Sequence, residues 1–219
     1  MQLSILSFQE DRLSIATKHR SFMVEAAHYI MALNFQQEFE LLYIDLNPKS
    51  QHADGMVGLK LIRDAKLTMH PKIYDHLALI NIASVCAATI SKHGKEKVKD
   101  EKAGYPSNAD LMVISGCMDD YKQFKKNLLP VSRQFLLQTL HTEWNTILCA
   151  FDFFLKDGVW DSVDFVAGLM AKHKTQGGIS HLQLLESIST QDFYPMLCAS
   201  MHDFLHQRYP LSKASLKLI

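Results

Sequence analysis

Hydrophobic residues in the first 130 positions fall into short continuous runs that predict β-strands. The runs lie at residues 2–8, 40–46, 76–85 and 110–116. Their length and apolar character are typical of strands that are buried on both faces. Gly, Pro and Asn residues separate the runs, which favours short strands over longer elements.

A helical spacing of apolar residues predicts the connections between these strands. Residues 12–34 carry apolar side chains at intervals of three and four, and a shorter helical pattern follows at residues 57–68. Strands that alternate with helices favour a mostly parallel α/β sheet with helices on both faces. An all-α fold is the alternative, because a run such as residues 77–90 can also form a buried helix.

The pattern changes to helical spacing alone after Pro130. Helices are predicted at residues 131–155, 161–172, 180–188 and 191–208. We therefore predict an α/β domain over residues 1–130 and an all-helical domain over residues 131–219. The aromatic residues of the second domain predict a core, and a dimer or partner surface is the alternative.

Composition and charge narrow the class of protein and its location. The 219 residues are 47% hydrophobic, which is enough for a core, and the 23 basic residues equal the 23 acidic ones. This balance argues against nucleic acid or an anionic membrane as the main partner. The four cysteines form no CxxC pair and lie in apolar runs, as reduced thiols do in a cytosol. Because neither a signal peptide nor a run of ~18 apolar residues is found, we predict a soluble cytoplasmic protein.

The first three predicted strands and the segments after them resemble those of a known family. The matching features are an acidic pair after the first strand, an aspartate ending LLYID, two glycines before LKLIR and a serine ending LINIAS: Glu10, Asp11, Asp45, Gly55, Gly58 and Ser84. At these positions the N-terminal region resembles the receiver domain of two-component response regulators, in a divergent form. The resemblance implies a flavodoxin-like parallel sheet.

The resemblance also implies a phosphorylation site and its partner. In receiver domains the acidic pair and the aspartate bind Mg²⁺, so the implied metal ligands here are Glu10, Asp11 and Asp45. Carboxylate oxygens are hard ligands that suit this ion. Asp45 is the implied phosphoacceptor, Ser84 the implied switch residue that senses the phosphoryl group, and a histidine kinase the implied partner.

Two departures from the family pattern favour a pseudo-receiver. The predicted last strand ends at residues 115–117 without the family's lysine, and the nearest lysine is Lys122. A single helix is predicted between Asp11 and Asp45, where the family has a helix, a strand and a helix. We therefore predict a non-enzymatic signalling or regulatory protein whose helical region binds a protein partner or forms a homodimer.

Two alternatives from other classes stay open. Glu25-x-x-His28 and Asp203-x-x-His206 each place a carboxylate and an imidazole on one helix face, with His202 and Glu143 as additional ligands. In a four-helix bundle this pattern predicts a di-iron enzyme. The other alternative is a protein-interaction module without a small-molecule site.

Overall fold

The computed structural model describes residues 2–5, 15–45, 56–61, 71–101, 117–134 and 139–208. Most of these residues are helical. The helices are α1 (Ile15–Leu33), α2 (Pro71–His93), α3 (Lys95–Glu101), α4 (Met118–Gln134), α5 (Thr139–Phe154), α6 (Val159–His173), α7 (His181–Ser189) and α8 (Tyr194–Arg208). A 3₁₀ turn, Lys174–Gln176, follows α6.

Four short strands form one antiparallel sheet in the order β1-β3-β2-β4. They are β1 (Gln2–Ile5), β2 (Phe39–Asp45), β3 (Met56–Leu61) and β4 (Gly178–Ser180). Phe39 lies opposite Leu61 and Asp45 opposite Met56 in the pairing of β2 with β3. On its other side β2 pairs with β4, so a strand from late in the chain completes the sheet.

The predicted receiver-like α/β fold, with its parallel sheet, is wrong. Residues 76–85, predicted as a strand, lie inside α2, and the helix predicted at residues 57–68 begins inside β3. Residues 75–90 are all buried, and a helix buried on every side is apolar all round, so its 3.6-residue period does not show. The ten residues between β2 and β3 are fewer than a parallel crossover needs, which favours the antiparallel pairing.

Other predicted elements are confirmed or lie elsewhere. Strands at residues 2–8 and 40–46 and the long helix at residues 12–34 correspond to β1, β2 and α1. The predicted strand at residues 110–116 lies outside the described residues. The division into two domains at residue 130 falls within α4 and stays a prediction.

The C-terminal region is helical as predicted, with two differences. The helices at residues 161–172 and 180–188 are confirmed, and Ser180 caps α7 by accepting a hydrogen bond from the Gln183 N–H at 3.3 Å. The last helix was predicted to begin at residue 191, but Thr190 ends α7 and α8 begins at Tyr194. β4 also lies in this region, where no strand was predicted, because three residues are too few to show an alternating pattern.

Helix α2 forms the centre of the core. It packs against α1, α4 and α5, and α1 also packs against α6. The segment Lys72–His93 is the one described helix long and apolar enough to cross a membrane, and 94% of its most apolar window is buried inside the protein. Core helices have the same length and composition, so this property is weak support for a membrane span.

Two contacts fix α8 on the rest of the molecule. Gly158 has a φ of 78°, and a Cβ at this position would lie 2.6 Å from Cβ of Met196, so α8 packs directly on this turn. At the other end of α8, Arg208 donates hydrogen bonds to both carboxylate oxygens of Asp75, at 2.6 and 3.2 Å, and to Thr146 at 3.1 Å.

Candidate functional site

A cluster of ionisable side chains lies in the core between α1 and α4. Glu25 and His28 are one turn apart on α1, and every residue from 22 to 35 is buried. Asp120, near the start of α4, faces them. Their exposures are 2% for Glu25, 0% for His28 and 3% for Asp120, so the cluster is closed to water. Three ionisable groups in a dry interior are rare, because burial of a charge is costly.

A carboxylate oxygen lies beside each ring nitrogen of His28. Nδ1 is 3.5 Å from Oε2 of Glu25, and Nε2 is 3.8 Å from Oδ2 of Asp120. Both distances exceed an ordinary hydrogen bond. Neither these two carboxylate oxygens nor the two ring nitrogens have a hydrogen-bond partner among the described residues. His28 therefore lies between two carboxyl groups, and each of the three side chains has a polar atom without a hydrogen-bond partner among the described residues.

Burial shifts the pKa of each of the three groups in the direction that favours its neutral form. Desolvation raises the pKa of Glu25 well above its ordinary value, although a hydrogen bond from the Val57 backbone opposes this rise. Desolvation lowers the pKa of His28 to about 4, against the attraction of Asp120 and a backbone contact at Asn81. The pKa of Asp120 rises to about 7, mainly through desolvation. The cluster can therefore exchange a proton near neutral pH.

Helix α2 contributes the polar groups that border Asp120. The Ser84 hydroxyl lies 2.9 Å from the carbonyl of Asn81, and its hydrogen bond to Asp120 lowers the pKa of that carboxyl. The Asn81 amide donates to the carbonyl of Leu77 at 2.7 Å. Ser84 was predicted to end a strand, but it lies buried in the middle of α2 and borders the acid and histidine cluster. Its predicted role in sensing a phosphoryl group stays a prediction.

The other residues of the predicted Mg²⁺ and phosphorylation site are either undescribed or lie at the end of β2. Glu10 and Asp11 lie outside the described residues. Asp45 is the last residue of β2 and lies opposite Met56 and Gly178 in the sheet. The Mg²⁺ site at these three acidic residues, and phosphorylation of Asp45, stay predictions.

The residues of the alternative di-iron site occupy different environments. Glu25 and His28 are buried, whereas Asp203 and His206 are exposed on α8. Glu143 accepts a hydrogen bond from the Tyr121 hydroxyl and lies 4.0 Å from Lys125 Nζ. Within the described ranges, no three His, Cys, Asp or Glu side chains form a group that could hold a metal ion.

Sequence reasoning found Glu25 and His28 but missed Asp120. Asp119 and Asp120 stand together in the first turn of α4, where acidic residues ordinarily interact with the helix dipole at the surface. Asp119 does so and is 70% exposed, whereas Asp120 points inward. The hydrophobic positions Tyr121, Phe124 and Leu128 carried the signal, because they mark the buried face next to Asp120.

A comparison of the chain with protein-family models, curated proteins and solved structures finds no match. The described residues define a mostly helical protein that holds two carboxyl groups and a histidine together in its core.

Proposed function

We propose that the protein is a regulatory protein whose helical core responds to protonation of the Glu25, His28 and Asp120 cluster. One observation carries this proposal: both ring nitrogens of a fully buried histidine lie within 4 Å of carboxylate oxygens. A buried group that changes charge near neutral pH is the usual basis of a proton-controlled switch.

Loss of the proton on Asp120 places a negative charge in a site without water. From α1, Glu25 and His28 face Asp120, and Ser84 faces it from α2. Within the described part of the chain, His28 is the basic group in ion-pair range of Asp120, and its low pKa keeps the imidazole neutral at pH 7. Asp119, the neighbour on α4, adds further negative charge. After deprotonation, the negative charge of Asp120 therefore lies beside a neutral imidazole and is repelled by the charge of Asp119.

The location of the cluster indicates which contacts respond. Asp120 belongs to α4, which packs against α2, and the other two groups belong to α1. Deprotonation therefore weakens the packing of α4 on α2 and its contact with α1 at His28. A proton reaches such a site through small openings of the structure, whereas a substrate needs contact with exposed side chains. These features support regulation by conformation, with a protein partner as the readout, over catalysis at this cluster.

Hydrogen exchange of the full chain at pH 6 and pH 8, corrected for the intrinsic pH dependence of exchange, tests the proposal. We expect α1, α2 and α4 to open more often at pH 8 than at pH 6. The variant Glu25→Gln/Asp120→Asn retains the side-chain shapes without the ionisable carboxyls, so it should lose this difference.

Asp119→Asn is the matched control, because it removes a neighbouring but exposed carboxylate. It should retain the difference between pH 6 and pH 8, because Asp119 makes only a small contribution to the pKa of Asp120. Equal protection of the three helices at pH 6 and pH 8 in the unmodified protein would contradict the proposed function.

A further inference from the structure

Two histidines on the exposed face of α8 lie close enough to share a ligand. His202 and His206 are one helical turn apart, and their Nε2 atoms are 3.0 Å from each other. The ring centroids are 4.2 Å apart with an angle of 60° between the planes. Both rings are exposed, and the side chain of His202 retains 71% of its accessible surface. Solutes therefore reach both nitrogens without any movement of the backbone.

The distance between the nitrogens corresponds to that of two ligands on one metal ion. With metal–nitrogen bonds of about 2.0–2.1 Å, two ligands at a right angle lie about 2.9 Å apart and two tetrahedral ligands about 3.4 Å apart. The 3.0 Å between the two Nε2 atoms lies close to the right-angle value. Two histidines spaced by four residues on a helix are a known metal-binding arrangement for this reason.

The surroundings of His202 favour the protonation state that a metal ligand needs. Nδ1 of His202 lies 3.8 Å from the carboxylate of Asp203, which favours the proton on Nδ1 and leaves the lone pair on Nε2. In the absence of metal, Nε2–H of His206 can donate to this lone pair. Metal binding requires His206 to move its proton to Nδ1, which is a change of tautomer without net loss of a proton.

We propose that His202 and His206 bind one divalent transition-metal ion, with Cu²⁺ and Ni²⁺ as the best matches. Imidazole nitrogens at a right angle suit the tetragonal geometry of these two ions, and Cu²⁺ binds most tightly in the series. The protein supplies two ligands, so water or an outside ligand completes the coordination. This proposal is independent of the proton-binding cluster, because it uses different residues on a different helix.

Titration of the full chain with Cu²⁺, followed by electron paramagnetic resonance, tests the site. We expect one ion to bind with hyperfine coupling to two nitrogens. His202→Ala and His206→Ala should each weaken binding by about tenfold or more, and the double variant should lose the two-nitrogen signal. Both positions are exposed, so the variants should retain the helical circular dichroism of the parent.

Two control variants remove other donors. His173→Ala deletes a histidine that contacts Gln176, and Cys198→Ser deletes the exposed thiol one turn before His202. Both should bind the ion like the unmodified protein, and Ni²⁺ should give the same order of affinities. Unchanged binding in His202→Ala/His206→Ala, or loss of the site in Cys198→Ser, would overturn the assignment.

Discussion

The same sequence pattern occurs twice in this protein, in opposite environments. Glu25-x-x-His28 lies in the dry core on α1, and Asp203-x-x-His206 lies on the open face of α8. In the core, burial drives both groups toward their neutral forms. On the surface, both side chains are in contact with water, and the imidazole is accessible to solutes. The spacing of an acid and a histidine therefore does not determine their charge state or their ligands, because both depend on how far the fold exposes them to water.

The largest difference between the two regions should appear in stability. His28→Ala leaves a cavity between two buried carboxyl groups and should lower the free energy of unfolding by about 3 to 5 kcal/mol. His206→Ala, at an exposed position, should change it by less than about 0.5 kcal/mol. Denaturant unfolding at pH 7 measures both variants. Similar small effects for the two histidines would contradict the difference in environment.

The pH dependence of the free energy of unfolding should distinguish Asp120 from its exposed neighbour Asp119. A folded-state pKa of about 7 against 3.8 for the free side chain means that only the folded state retains the proton between these values. The contribution of Asp120 to the free energy of unfolding is therefore greatest below about pH 4, decreases as the pH rises, and is lost above about pH 7. The change corresponds to roughly 4 kcal/mol.

His28 opposes this trend at lower pH. Its folded-state pKa of about 4 lies below 6.5, so it adds stability as the pH rises from about 4 to 6.5. The effect of Asp120 should therefore be clearest between about pH 6.5 and 8. In that range Asp120→Asn should be more stable than the unmodified protein by roughly 2 to 4 kcal/mol. Unfolding curves across this range measure the gain, and Asp119→Asn should gain much less, because Asp119 is exposed and makes the smallest of the identified contributions to the pKa of Asp120; equal curves for all three proteins would contradict the prediction.

The smallest effect should come from the hydroxyl that borders the cluster. Ser84→Ala removes a hydrogen bond to Asp120, so the pKa of that carboxyl should rise further. The free energy of unfolding should change by about 1 kcal/mol. Ser187→Ala is a matched control, since its hydroxyl lies 2.8 Å from a carbonyl of its own helix, as the Ser84 hydroxyl does at 2.9 Å, but in a contact that is exposed to solvent. A carboxyl titration of each variant measures the shift, and a lower pKa of Asp120 in Ser84→Ala would contradict the expected direction.

The sequence predicted α1 and the helices at residues 161–172 and 180–188, but it failed at α2. The helices at residues 161–172 and 180–188 alternate buried and exposed positions, so their period shows. Helix α2 has no such contrast over residues 75–90, and its apolar run was interpreted as a strand. That error produced the parallel sheet, and the receiver-like arrangement around Ser84 depended on it.

The sequence predicted that two residues of the candidate site lie together, but it did not predict the third. The i, i+3 spacing placed Glu25 and His28 on one face of a helix, as the structure confirms. Whether that face points inward depends on α2 and α4 packing against it, and local spacing does not contain this information. Asp120 lies 92 residues after His28, and no pattern along the chain connects the two positions.

Carbon-13 NMR of protein with labelled aspartate carboxyl carbons tests the central claim most directly. The resonance of Asp120, assigned by its disappearance in Asp120→Asn, should titrate with a midpoint near pH 7. A midpoint near pH 4 would show a carboxyl in contact with water, and it would contradict a dry cluster that binds a proton at neutral pH.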